Sequence, residues 1–403
     1  MNKNRKWIRY RHKIVTRIVY ALLYPYTRFK YGIKIDKFLK QENRQYLVLY
    51  NHQTAFDQFF VGMAFKGAIY YVASEDLFSN GIISKLIKYL VAPIPIKKST
   101  TDVRAVINCM QVAREGGTIA IAPEGNRTYS GTTVHIKSSI SSLAKALKLP
   151  IAIFRIEGGY GAHPRWSDVV RRGKMRAGVR KIIEPEDIAS LSDDELYNLI
   201  KSELWVDETE SSGVYKHKRA AEYLERAIYI CPKCGFSEFY SSFSDIQCLK
   251  CGTSAKYTEN LSFAPKSCGF GFSNVKEWYD YQDRYITSTD PFDFSNSPIY
   301  EESADVYSVT PYVSKRRLAK KAILKLYGTK LVIHSSAYRD ELCFDAVSSM
   351  SVLGRNKLNI YTNDKRILQI KPGKRFNSVK YMNMYFHYTN VIKGVKDGEF
   401  LGI

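Results

Sequence analysis

Over the first half of the chain, short apolar runs alternate with stretches of helical periodicity. The pattern predicts strands at 46–50, 69–73, 92–96, 118–122 and 151–156, and helices at 56–66, 82–90, 102–115 and 137–148. In the 102–115 segment Val103, Val106, Ile107, Met110 and Ala113 fall on one apolar stripe. Thr101 or Asp102 is placed to cap that helix, and Gly116 with Gly117 to end it. Strands alternating with helices imply a largely parallel sheet covered on both faces. The basic run at 171–181 reads as a later edge strand, and helices at 193–204 and 214–228 close this part of the chain.

The ends of the chain follow other patterns. Residues 1–30 hold nine Lys or Arg and no acid, with Trp7, Ile8, Ile14, Val15, Ile18, Val19, Leu22 and Leu23 at helical spacing. A basic amphipathic helix of this kind suits the interface of an anionic membrane. Residues 264–313 lack clear periodicity, and 280–310 carry seven acids and one base, which reads as an acidic, aromatic connector. The last 90 residues predict short strands at 322–327, 330–335, 341–345, 357–362 and 366–370, then a helix at about 376–392.

Composition narrows the function classes. Among 403 residues, 61 Lys and Arg stand against 39 Asp and Glu, a net charge of +22 that implies an anionic partner. The 30 Tyr and 20 Phe suit surfaces that are wet at one end and apolar at the other. No run of eighteen apolar residues occurs, and the apolar part from Ile14 to Tyr24 is short and broken by Arg17, so neither a spanning helix nor a secretory signal is expected. Of seven cysteines, four form two Cys-x-x-Cys-Gly knuckles, Cys231 with Cys234 and Cys248 with Cys251, separated by thirteen residues. Two matched pairs at this spacing point to a tetrahedral Zn²⁺ in a reducing compartment, a zinc ribbon, rather than to a disulfide framework or a redox dithiol. Phe236, Phe239, Tyr240 and Phe243 would supply its small core.

The chemistry concentrates at two strand ends. The first predicted strand runs into Asn51-His52-Gln53-Thr54-Ala55-Phe56-Asp57, and a later one into Pro123-Glu124-Gly125-Asn126-Arg127. A His followed five positions later by an Asp suits a general base and its orienting carboxylate, although the pair alone also reads as a helix cap. Ligands of open α/β sheets bind at such strand ends. Together, in this order and at this separation, the two motifs resemble those of the glycerolipid acyltransferases, the family of lysophosphatidic acid and glycerol-3-phosphate acyltransferases.

That resemblance covers roughly the first half of the chain and implies acyl transfer from a thioester donor, acyl-CoA or acyl-carrier protein, to a lysophospholipid hydroxyl, with 1-acyl-glycerol-3-phosphate as the first expected acceptor. It implies catalytic roles for His52 and Asp57, and substrate binding by Glu124, Gly125 and Arg127. Where the family carries a further Arg, this chain has Lys97 and Lys98, so bidentate phosphate geometry is lost. Phe56, Phe59, Phe60 and Phe65 are placed either to line an acyl tunnel or to fill the core. No Gly-x-Ser-x-Gly elbow occurs, which fits direct attack by the acceptor. Two other readings stay open: a non-phosphate lysolipid as acceptor, and a non-catalytic zinc-ribbon adaptor of membrane or nucleic acid. Nucleic acid is not expected as a partner of an acyltransferase with either acceptor.

The expected fold class is α/β. A mixed, largely parallel sheet acyltransferase domain at 36–228 follows an N-terminal amphipathic helix at 1–35. A zinc ribbon at 229–260, a connector at 261–313 and a C-terminal α+β domain of antiparallel strands plus one helix at 314–403 complete the chain. The C-terminal element order resembles the pleckstrin-homology-like domains. The expected location is cytoplasmic, peripheral on the inner face of the membrane.

Overall fold

The computed structural model describes residues 6–97, 102–209, 213–394 and 400–402. The chain divides into two compact units: Met1–Pro164 with Val170–Tyr215, and Arg165–Val169 with Lys216–Ile403. This division puts a boundary after Tyr215, earlier than the 228 expected.

The first unit opens with α1 (Tyr10–Tyr31) and β1 (Ile33–Ile35). Then come β2 (Leu47–Tyr50), α2 (Asp57–Ala64), β3 (Ile69–Ser74), α3 (Ile82–Val91), β4 (Ile94–Ile96) and α4 (Val103–Arg114). After β5 (Thr118–Ile121), α5 (Ser139–Leu147), β6 (Ile151–Glu157) and a short α6 (Gly159–Ala162), the unit closes with β7 (Met175–Ile183), α7 (Pro185–Ser190) and α8 (Asp193–Leu204). These strands form one seven-stranded sheet in the order β1-β7-β6-β2-β5-β3-β4. β6, β2, β5, β3 and β4 are mutually parallel, and β7 runs antiparallel to β6.

The central strands β2 and β5 are buried along their whole length, as the continuous apolar runs require of strands covered on both faces. Asp102 caps α4 through the amides of Arg104 and Ala105; Thr101 lies outside the described residues. α1 packs on α2 at Gly62, where an added Cβ would meet the Tyr20 hydroxyl at 2.0 Å. Two expectations are corrected. The basic run is not an edge strand, because β7 pairs with β1 on one side and β6 on the other. Residues 214–228 form no α-helix beyond a short 3₁₀ turn at Leu224–Arg226. Arg226 there is buried, and its guanidinium donates to the Trp166 carbonyl at 2.8 Å and to Asp168 at 2.7 Å. These tertiary bonds override the helical periodicity.

In the second unit, short strands β8 (Ile230–Cys231), β9 (Gly235–Phe236), β10 (Phe239–Ser242), β11 (Asp245–Cys248), β12 (Ser254–Tyr257) and β13 (Phe263–Pro265) make two small sheets. The stretch expected as a connector is largely regular: α9 (Val275–Thr287) and then β14 (Tyr300–Thr310). Trp278 on α9 is buried among Phe239, Phe263, Phe270 and Phe272, so the aromatic residues dock the segment.

The rest is β15 (Ser314–Leu326), β16 (Lys330–His334), β17 (Arg339–Cys343), β18 (Val347–Leu353), β19 (Lys357–Thr362), β20 (Ile367–Pro372) and α10 (Val379–Lys393). They form an antiparallel sheet of seven strands ordered β17-β16-β15-β14-β20-β19-β18. β14 and β18 are additions to the predicted strands. Acids mask the first, and Ser349 and Ser351, buried on the second, weaken its apolar pattern. No helix among the described residues is long and apolar enough to cross a membrane.

Candidate active site

The carboxyl ends of the parallel strands bring the predicted residues to one edge of the first sheet. His52 follows β2, Glu124, Gly125 and Arg127 follow β5, and Lys97 follows β4. β2 and β5 are neighbours, in register from Leu47 with Ile119 to Leu49 with Ile121. Lys97 is exposed, and its amide donates to Asp102 at 2.9 Å. Lys98 lies outside the described residues.

His52 and Asp57 form a tight pair, Nδ1 to Oδ2 at 2.8 Å. The Asp57 side chain is 0% exposed and that of His52 24%. Asp57 does not cap α2; its carboxylate points back along the chain. Oδ2 also accepts from the Gln53 amide at 2.7 Å and the Thr54 amide at 2.9 Å, and Oδ1 from the Thr54 hydroxyl at 2.7 Å. Because a carboxylate only accepts, Nδ1 of His52 donates, and Nε2 is the nitrogen that Asp57 does not touch. Several donors around a fully buried acid fix the ring orientation as a base requires.

The loop after β5 holds the His52 backbone. Glu124 is buried; its Oε1 accepts from the His52 amide at 2.7 Å and its Oε2 from the Val134 amide at 2.9 Å. The Thr128 amide donates to the His52 carbonyl at 3.4 Å. Burial pushes the Glu124 carboxyl up to about 8, against the two amides that hold it down. Gly125, at φ +64°, takes the left-handed turn that lets the chain leave β5, with nothing within 4 Å of an added Cβ. Arg127 is buried in the same loop.

Two anchors are additional to the predicted site residues. Asn51 is fully buried and bonds both backbone groups of Ile156, each at 2.8 Å, tying the end of β2 to β6. Gln53 Oε1 accepts from the Tyr160 amide at 2.9 Å. The spacing Thr54-x-x-Asp57 is a helix-start signature that could have flagged Thr54; nothing in the sequence marks Val134. Beside the pair, Tyr31 at the end of α1 meets Phe56 and Phe60 at ring separations of 5.3 and 5.6 Å. Phe60 and Phe65 are core residues, while Phe56 and Phe59 are half-buried.

Within the second unit, Cys231, Cys234, Cys248 and Cys251 bring their sulfurs within 4.8 Å of one another. Cys231 lies 3.5 Å from Cys251, and Cys234 lies 3.7 Å from Cys248. Tetrahedral thiolates about a Zn²⁺ at 2.3 Å stand roughly 3.8 Å apart, so the four sulfurs fit that ion. Gly235 and Gly252, after the two knuckles, both take positive φ.

Comparisons with known proteins bear on the first unit. Residues 33–156 match the family model described as Acyltransferase. Among solved structures, the chain is similar to the 1-acyl-sn-glycerophosphate (LPA) acyltransferase of Thermotoga maritima at 20% identity and a TM-score of 0.38, over 47% of this chain and 74% of that one. A comparison with curated proteins gives no match. The matched segment contains β1 to β6 and both strand-end motifs, so the part of the chain that is similar to the acyltransferase family is the part that carries the His52–Asp57 pair.

Proposed function

We propose that the first unit transfers a fatty acyl group from a thioester, acyl-CoA or acyl-carrier protein, to the free hydroxyl of a lysophospholipid, with 1-acyl-glycerol-3-phosphate as the leading acceptor. The observation that carries this reading is the His52–Asp57 pair, its acid buried and held by four donor groups at the carboxyl edge of the sheet. His52 Nε2 takes the proton of the acceptor hydroxyl as the oxygen attacks the thioester carbonyl. The imidazolium, steadied by Asp57, returns that proton to the sulfur as the C–S bond breaks. The products are the ester and the free thiol.

Glu124 acts as a positioning residue through the His52 amide. Lys97, Gly125 and Arg127 form the acceptor side, with the cations facing phosphate. The four cysteines hold one structural Zn²⁺. All four positions are thiolates, so the ion keeps no open position for substrate and supports the fold of the second unit. Nine cations without an acid at 1–30 support docking of α1 on an anionic membrane surface, peripheral on the cytoplasmic face.

The test is incubation of purified protein with long-chain acyl-CoA or acyl-carrier protein donors against a panel of lysolipids, with products read by mass spectrometry. Acylation of 1-acyl-glycerol-3-phosphate supports the reading. Acylation only of acceptors without phosphate overturns the acceptor assignment, and no transfer to any acceptor overturns the reading.

A further inference from the structure

Two neighbouring helices of the first unit, α1 and α3, present apolar residues outward. α1 turns an apolar stripe outward, with Tyr10, Ile14, Ile18 and Leu22 exposed at successive four-residue steps. α3 does the same: Ile82 is 82% exposed and Ile83 64%, and Leu86 and Tyr89 are also exposed. The buried position of α3 is Ser84, whose hydroxyl donates to the Leu77 carbonyl at 2.6 Å; Ile87, Leu90 and Val91 are half-buried, and Ile82, Ile83, Leu86 and Tyr89 are left facing outward. An exposed aliphatic face of this kind on a surface helix marks an interaction site.

The two helices touch. Arg11 Nε donates to the Tyr89 carbonyl at 2.9 Å, and its guanidinium lies 4.0 Å from the centre of the Tyr89 ring. They also reach the same edge of the sheet. α3 begins just after β3 leaves its carboxyl end. α1 ends at Tyr31, against Phe56, and leads into β1 opposite Met175. Met175 precedes Arg176, which pairs with Glu157 at the carboxyl end of β6. His52 lies on that edge.

Charge selects the occupant. No Asp or Glu occurs from 77 to 97, and Lys85, Lys88 and Lys97 lie there. α1 likewise has no acid, and carries Arg11, Lys13 and Arg17 in its first half. A second copy of this chain would oppose the same cations to one another. An anionic bilayer accepts both the aliphatic residues and the cations.

We propose that α3, beside α1, inserts its Ile82, Ile83 and Leu86 face into an anionic lipid surface and sets the His52 edge of the sheet at the bilayer. This rests on the acyl-transfer reading only for its purpose; docking and transfer are measured separately. The test compares full-length wild type, the α3 variant Ile82→Asn/Leu86→Asn and the α1 variant Ile14→Asn/Leu22→Asn. Binding is measured by flotation with phosphatidylglycerol–phosphatidylcholine vesicles, and transfer with acceptor in detergent micelles and in vesicles. Removing two aliphatic side chains that enter the lipid should weaken vesicle binding by at least about tenfold.

The expected result is that the α3 variant melts like wild type, loses vesicle binding and vesicle turnover to a similar extent as the α1 variant, and keeps micellar turnover. Wild-type vesicle binding by a folded α3 variant overturns the inference and leaves α1 as the sole anchor. A wild-type dimer in solution that the α3 variant converts to monomer, without any change in vesicle binding, overturns it in favour of self-association. Absence of micellar transfer by wild type would count against the catalytic reading alone.

Discussion

Replacing Glu124 with Ala removes the acceptor of two backbone amides at once. One is that of His52, at 2.7 Å, and the other that of Val134, at 2.9 Å. Each amide left without a partner in a buried site costs about 1–3 kcal/mol, so the first unit should lose roughly 2–6 kcal/mol. The rate should fall too, because a catalytic group displaced by about 1 Å commonly loses about 100-fold. Glu124→Gln keeps one carbonyl oxygen and should fall between wild type and Ala in both respects. The assay is steady-state kinetics on a micellar acceptor together with urea unfolding. A positioning role lowers kcat and the urea midpoint while the acceptor KM changes little. A raised acceptor KM, with kcat and stability at wild-type values in Glu124→Ala, would refute this reasoning and make Glu124 a direct acceptor ligand.

Three further outcomes follow from the same geometry. Asp57→Asn should lower kcat by a factor of about 100 or more, since an amide nitrogen would face the Gln53 and Thr54 amides and the ring would lose its charged orienter; near-wild-type turnover in the folded variant would contradict the pairing. Metal analysis of purified protein should find one Zn²⁺ per chain, and Cys231→Ser should lower the melting temperature of the second unit. A metal content near zero in protein with all four cysteines intact would remove the ribbon assignment. Burial pushes Glu124 up to about 8 and Glu208 up to about 7 from ordinary values near 4.5. Between those limits the folded state keeps protons that the unfolded chain has lost, so their contribution to stability is full below about 4.5 and fades as pH rises through 7 and 8. Urea unfolding from about pH 5 to about pH 9 should therefore show wild type losing stability relative to Glu124→Gln as pH rises, and a growing wild-type advantage would reverse the sign.

The elements whose burial follows a simple period were legible in the sequence. β2 and β5 are continuous apolar runs, and α4 was legible as a helix capped at Asp102, but its expected stripe was not the buried face: Val103, Val106 and Ile107 are exposed, and Ala105, Asn108, Cys109 and Val112 are buried. The motifs at their ends were legible because strand ends of a parallel sheet converge on one edge. What the sequence hid has local causes. Glu301, Glu302 and Asp305 gave β14 the look of a connector, yet Tyr300, Ala304, Val306 and Val309 are its buried residues, with register shifts between Ala304 and Tyr307. Residues 214–228 were periodic but are fixed by the buried Arg226. At the site, Glu124 read as a residue facing a ligand, whereas both of its oxygens meet backbone amides. No side-chain pattern records a partner of that kind. The exposed face of α3 had the periodicity of an ordinary packed helix, and only the direction in which it faces separates the two.

The central claim is that His52, oriented by Asp57, is the base of an acyl transfer. Its most direct test is diacyl product formation from long-chain acyl-CoA and 1-acyl-glycerol-3-phosphate, followed by mass spectrometry for wild type and His52→Ala. The account predicts product with wild type and a rate lower by a factor of about 100 to 10,000 with a folded His52→Ala. Equal product from both proteins would contradict it.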